Sequence, residues 1–153
     1  MSVWERCRGT TPVTHSFGVS DYKKLSVWRK AHALALNVHR VAVRLRGPDY
    51  AALRSQMMRA SMSIPTNIVE GVGQQSRKDF GRFIGFSLNS TSELEYHLTV
   101  ARDIQAIEEA EFVSLLAQAI EVRKMLHGLL NRVMADVKTP KRQSGHGRQP
   151  PGP

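Results

Sequence analysis

The hydrophobic positions of this chain fall into four helical stripes separated by short polar breaks. The first passes through Val27, Ala31, Leu34, Val38, Val41 and Leu45, spaced 4, 3, 4, 3 and 4, and Trp28, Ala35 and Ala42 widen it. Steps alternating between three and four keep residues on one side of a helix with 3.6 residues per turn, so a helix is predicted from Tyr22 or Ser26 to Leu45. Gly47-Pro48 ends it, and Asp49 suits the N-cap of the next helix. That second helix, Tyr50 to Val72, aligns Leu53, Met57, Ala60, Ile64, Asn67 or Ile68, and Gly71. A third, Arg77 to Asp103, carries Phe80, Phe83, Ser87, Thr91, Leu94, Leu98 and Ala101. The fourth, Glu108 to Ala135, has the most regular seam: Phe112, Leu115, Ala119, Val122, Leu126, Leu129 and Val133, spaced 3, 4, 3, 4, 3, 4. Acidic residues in its first turn and Arg132 in its last suit the helix dipole.

Four amphipathic helices of about 20–28 residues with short connections predict an all-α, up-down-up-down antiparallel four-helix bundle over residues 22–137. Residues 1–21 read as a loose leader and 138–153 as a disordered basic tail. A chain of 153 residues is one domain by length.

The costliest stretch is residues 61–73, SMSIPTNIVEGVG. Pro65 lies inside the predicted second helix, where a proline costs about 3 kcal/mol by removing a donor and crowding the preceding turn. It leaves the Ser61 carbonyl without its helical partner, and a mild kink is expected. Asn67 and Glu70 lie near the apolar stripe, where a buried polar group without a partner costs about 1–3 kcal/mol. The small, hydroxyl-rich middle of the third helix, from Gly85 through Ser87, Asn89, Ser90, Thr91 and Ser92, is the expected source of partners for Asn67, Glu70 and the Ser61 carbonyl. Gly71 and Gly73 read as a helix stop, and Ser76 with Asp79 three residues later as the next helix start. The third glycine and preceding strand of a phosphate-cradling loop are missing. Met57, Met58 and Met62 read as core filler.

Charge changes the picture. The chain carries +9, and residues 22–82 alone hold twelve Lys/Arg against Asp49, Glu70 and Asp79. Residues 83–137 hold four basic against eight acidic residues, and the tail from Lys138 holds four basic and no acidic ones. Such a division fits either a polyanion-binding face or association of copies, basic side to acidic side. The phosphate-binding candidates are Lys23, Lys24, Arg29, Lys30, Arg40, Arg44, Arg54 and Arg59, with Lys141, Arg142 and Arg148 adding loose contacts. In the association reading, these cations would meet Glu93, Glu95, Glu108, Glu109 or Glu111 of a neighbour.

Other classes recede. Cys7 alone allows no internal disulfide, which favours a reducing, cytoplasmic setting. The leader has no apolar run for a secretory signal, and no window approaches a membrane span. The six histidines form no ligand cluster, and His32 and His39, seven apart, are not expected to hold a metal. Glu70, Glu95 and His97 have no nucleophile converging with them, so no enzyme activity, catalytic residue, metal or cofactor is expected.

Tyr22 to Ala31, with Leu25, Val27, Trp28 and Ala31, resembles the "L-x-V-W-x-x-A" opening of the proteins encoded in intervening sequences of bacterial large-subunit ribosomal RNA genes. Gln56 to Gly71 is similar to that family's central "Q-x-R-A-x-x-S-I-P-x-N-I-x-E-G", which here contains Ser63, Pro65, Asn67, Glu70 and Gly71. Phe80 to Ile84, Ser92 to Glu95 and Met125 to Leu130 continue the likeness, which spans about residues 22–133. Leu45 to Pro48 replaces an aromatic-proline ending, and Ser90 to Ser92 replaces a glycine-serine pair. The resemblance implies a four-helix bundle assembling as a homopentamer. It also implies similarity to retroelement accessory proteins, basic bundles that bind nucleic acid and a reverse transcriptase. The resulting expectation is a non-enzymatic, oligomeric protein that binds RNA or DNA through the basic faces of its first two helices. The alternative is a structural or protein-interaction scaffold whose charges serve self-association.

Overall fold

The computed structural model describes residues 21–138; residues 1–20 of the leader and 139–153 of the tail, with Cys7, Lys141, Arg142 and Arg148, lie outside the described residues. Four α-helices follow one another: α1 Ser26–Ala42, α2 Ala51–Val72, α3 Arg77–Asp103 and α4 Glu109–Lys138. Each packs on the next and α4 returns to α1, enclosing one core. Neighbours run antiparallel: Lys30 meets Glu121 and Arg44 meets Glu111 across α1 and α4, while Ser87 and Ser90 meet Ile64 and Ser63 across α3 and α2. The bundle therefore has the up-down-up-down order expected from the four stripes.

The helix ends differ in instructive ways. A 3₁₀ turn, Tyr22–Lys24, precedes α1, and Asp21 caps it by accepting the Lys23 amide at 2.9 Å. α1 stops at Ala42 rather than Leu45, because the chain tightens into bonds spanning three residues, Arg44 N–H to Val41 at 3.1 Å and Leu45 N–H to Ala42 at 3.0 Å. That tightening keeps Leu45 in the core, only 5% exposed, before Gly47 turns the chain with φ 97°. Asp49 is not the N-cap of α2: it lies within a second 3₁₀ turn, Pro48–Tyr50, and Tyr50 occupies the cap without a side-chain bond. Ser76 caps α3 as expected, accepting the Asp79 amide at 3.0 Å. Between α3 and α4 the chain turns through Gln105 at φ 57°, with Ala106 N–H bonding Ala101 at 2.8 Å and Gln105 N–H bonding Arg102 at 2.8 Å. That is a Schellman ending with glutamine where glycine is usual.

The stripes predict the core with small shifts of phase. Ile68, not Asn67, is fully buried, and Ile84 is buried where Phe83 is only half-buried. Of the methionines, Met57 is buried and Met58 half-buried, but Met62 is 59% exposed and is not core filler.

α2 runs as continuous helix through Pro65, which is buried. The hydroxyls of α3 reach it as anticipated, with one change of address. Ser87 Oγ donates at 2.9 Å to the carbonyl of Ile64, the residue before the proline, rather than to that of Ser61. Ser90 Oγ meets Ser63 Oγ at 2.9 Å, and Asn67 Nδ2 donates to the Ser63 carbonyl at 2.9 Å and its hydroxyl at 3.0 Å. Thr91, fully buried, returns its proton to the Ser87 carbonyl at 2.8 Å. No buried side-chain polar atom lacks a partner among the described residues. Glu70 is the exception to the expected scheme: its side chain is exposed and no α3 hydroxyl meets it, because its position turns it away from the seam.

The helix stop expected at Gly71 and Gly73 is supplied by Gly73, which caps α2 after Val72, and not by Gly71. Gly71 lies inside α2 without a positive φ, and a Cβ there would sit 2.9 Å from both Phe80 Cδ2 and Phe83 Cβ. Its role is to let the end of α2 approach the start of α3. Gly73, two residues on, would place a Cβ 3.5 Å from the Glu70 carbonyl, an ordinary contact. We predict that Gly71→Ala costs about 1–3 kcal/mol by overpacking, whereas Gly73→Ala is neutral or stabilising by up to about 1 kcal/mol. Ser87→Ala should cost about 1–2 kcal/mol. Urea melts check all three, and a Gly71→Ala protein as stable as wild type would contradict the close-approach reading.

Candidate nucleic-acid interface

The eight basic side chains expected to meet phosphate do not share one surface. Lys23, Lys24, Arg29 and Lys30 surround the start of α1. Arg40 and Arg44 lie at its far end, about 20 Å away at 1.5 Å per residue, beside Arg54 near the start of α2. Arg59 is exposed farther along α2.

Most of them have work inside the chain. Arg29 Nη1 donates to the carbonyls of Lys23 at 2.9 Å and Lys24 at 3.3 Å, clamping the 3₁₀ turn onto α1. Lys23 Nζ lies 6.0 Å from the centre of the Tyr22 ring. Lys30 pairs with Glu121 at 3.0 Å, and Arg44 with Glu111. Arg40 donates to Asn37 Oδ1 at 2.8 Å, and Arg54 to the Leu45 carbonyl. Only Lys24 and Arg59 have exposed side chains with no such contact among the described residues. The ion pairs sit in solvent, where a pair contributes about 0–1 kcal/mol, so they neutralise charge more than they stabilise the fold.

The acidic candidates are also committed. Glu95 holds Arg123 Nε at 2.8 Å, Glu111 holds Arg44, and Glu93 faces His97 Nε2 at 3.5 Å. Glu108 and Glu109 remain exposed. Glu70, at the end of α2, and the Glu95–His97 region, far along α3 from the Gly71–Phe80 contact, are not brought together.

The sequence reading missed an apolar groove between α1 and α2. Trp28 anchors it, edge-on to Tyr22 at 4.8 Å and stacked on His32 at 5.0 Å and 7°. The groove, about 320 Å³, continues past Leu36 and Met62 to Pro65 and Val69. Leu36 and Met62 are 45% and 59% exposed. The available signal was that Leu36 and Met62 are apolar yet out of phase with their stripes. His32 and His39 both line the groove, and no group of three or more potential metal ligands exists among the described residues. No described helix is long and apolar enough to cross a membrane.

The profile of the 23S rRNA-intervening sequence protein family matches residues 23–128. The chain belongs to this family. The fold is also similar to the crystal structure, at 1.70 Å resolution, of a protein of unknown function from the S23 ribosomal protein family of Bacteroides thetaiotaomicron. The two share 24% identity with a TM-score of 0.65, over 69% of this chain and 95% of the other. Comparison with curated proteins finds no match. The family match spans all of α1 to α3 and most of α4, so the α2–α3 hydroxyl seam and the α1–α4 ion pairs both belong to the intervening-sequence bundle.

If the α1–α4 pairs serve mainly to neutralise charge, a double-mutant cycle on Arg44→Ala and Glu111→Ala should give a coupling of about 0.2–1 kcal/mol in thermal or urea melts. A coupling above about 2 kcal/mol would instead mark a desolvated pair on which folding depends.

Proposed function

We propose that this intervening-sequence family protein is a non-enzymatic, cytoplasmic nucleic-acid-binding protein that holds the phosphate backbone of RNA or DNA. The observation that carries the reading is the positive charge left over after internal pairing. With Lys30 and Arg44 neutralised, exposed cations such as Lys24 and Arg59 remain on the first two helices of a chain carrying +9. Cations of this kind attract any polyanion, release its counterions, and read no sequence. The separation of Glu70 from Glu95 and His97 supports a role without catalysis, and no cofactor is needed.

A second reading is supported by the Trp28 groove. Here the protein is a scaffold, a homopentamer by resemblance or an accessory factor to a reverse transcriptase, and the exposed Leu36 and Met62 meet another protein surface. Because Glu95 and Glu111 are occupied within the chain, this contact would be apolar rather than the ionic one expected from charge. The two readings are compatible if assembly leaves cations open.

Filter binding with a short RNA hairpin and a short DNA duplex tests the first reading. Retention at ~50 mM salt should fall by about 10-fold or more at ~200 mM, with little difference between sequences. No retention of either at low salt would end it. For the second, sedimentation should find an oligomer at micromolar protein that Met62→Arg weakens; a wild-type monomer would rule it out.

A further inference from the structure

The antiparallel order gathers the start of α1, the end of α2, the start of α3 and the end of α4 at one pole of the bundle. The three segments 21–30, 68–82 and 124–138 that build this pole hold ten Lys/Arg against four Asp/Glu, a net of +6. All other described residues hold seven Lys/Arg against eight Asp/Glu, a net of −1. The charge division along the sequence is thus not the division in space: +4 of the +6 comes from α3 and α4, with Arg77, Lys78 and Arg82 drawn from the basic stretch 22–82 and Lys124 and Arg132 from the acidic stretch 83–137. Asp21 and Lys138, the first and last of the described residues, both lie at this pole.

The pole also keeps its charge. Lys24, Lys78, Lys124 and Arg132 are exposed and make no ion pair among the described residues. Among the pole's other cations, Lys30 pairs with Glu121, Arg77 with Asp136 and Arg82 with Asp79, and farther from it Arg44 and Arg123 are each paired with a glutamate. Helix dipoles neither create nor cancel the surplus, because two N-termini and two C-termini alternate there. Arg132 lines a groove between α1 and α4 with Leu25, Val27 and Gly128, and Lys78 lines another with Leu130 and Met134 of α4.

We infer that this pole, built from all four helices, is the surface that seats the phosphate backbone of a structured nucleic acid. The inference rests on the binding reading above and relocates it from the faces of α1 and α2 to one end of the bundle. Four helix ends at 8–10 Å spacing span about 20 Å. Duplex DNA carries one charge per ~1.7 Å of axis, so on the order of ten phosphates lie within that span. An anionic membrane fits less well: the cations are spread over separate helix ends, whereas a surface-lying helix sets them on one face opposite a broad apolar one.

The test compares the full chain with Lys24→Gln, Lys78→Gln and Arg132→Gln, singly and combined, and with Arg46→Gln, an exposed cation at the opposite pole that makes no ion pair. Affinity for a short DNA duplex and a short RNA hairpin is followed by fluorescence anisotropy across ~50–200 mM salt. Circular dichroism melts check that each exposed substitution leaves the fold intact. The triple variant should lose about 30-fold or more in affinity at ~100 mM salt, and its log–log salt slope on duplex DNA should shrink by about 2–3. Arg46→Gln should change affinity less than about 3-fold. Equal losses at the two poles, or a triple variant that binds as wild type does, overturn the placement while leaving nucleic-acid binding standing. Wild-type protein that binds neither probe overturns both. Phosphatidylserine vesicles supply the last arm: loss of vesicle binding in the triple variant with nucleic-acid binding unchanged assigns the pole to membranes and also overturns the inference.

Discussion

The bundle depends on the contact of α3 hydroxyls with the α2 backbone around Pro65. A proline inside a helix removes a donor, crowds the turn before it and costs about 3 kcal/mol where nothing compensates. Here α2 continues through it because the neighbouring helix is small enough to come close and polar enough to bond. Ser87 reaches the Ile64 carbonyl, Ser90 reaches Ser63, and Asn67 ties Ser63 back to the same turn. Ser87 and Thr91 are both fully buried, so each bond forms away from competing water, where an unmade one would be costly. One turn beyond, Gly71 admits Phe80 and Phe83 against the end of α2. Polar satisfaction and close approach thus fix the same α2–α3 register, and the purely apolar seams can follow it.

This dependence explains what could be read from sequence. Periodicity located all four helices, because burial on one side of a helix leaves a direct imprint on residue order. The hydroxyl-rich middle of α3 was legible for the same reason: a run of Ser and Thr on a buried stripe has to bond something. Its target was not legible, since the Ile64 carbonyl and the Ser61 carbonyl differ by less than one turn of helix phase. Glu70 shows the same limit from the other side. It lies three residues from Asn67, yet that step carries it off the seam and into solvent. Nothing in the packing within one chain explains its place in the motif.

Helix ends were harder, because they are decided by local backbone chemistry that periodicity does not record. Leu45 is in phase with its stripe and buried, but it is reached by a tightened turn rather than by α1 itself. Gly71 looks like punctuation in the sequence and is a packing residue in the fold. Met62 and Leu36 looked like filler or background, and each lines the Trp28 groove.

The candidate site was the least legible feature, and the reason is electrostatic. A cation's availability is set by what lies across from it, which sequence distance conceals. Between α1 and α4 the seam is bridged by polar side chains as well as core contacts: Asn37 donates to Gln118 at 2.8 Å, Lys30 meets Glu121, and Arg44 meets Glu111. The acidic character of α4 therefore spends part of the basic character of α1 on closing the bundle. What survives is not the basic half of the sequence but the exposed cations that make no ion pair among the described residues. Lys24, Lys78, Lys124 and Arg132 come from the turn before α1, from α3 and from α4, far-apart stretches of chain, yet the up-down topology delivers them to one end. The same topology that forces α2 and α3 into their hydroxyl-bonded register thereby also determines where free positive charge can accumulate.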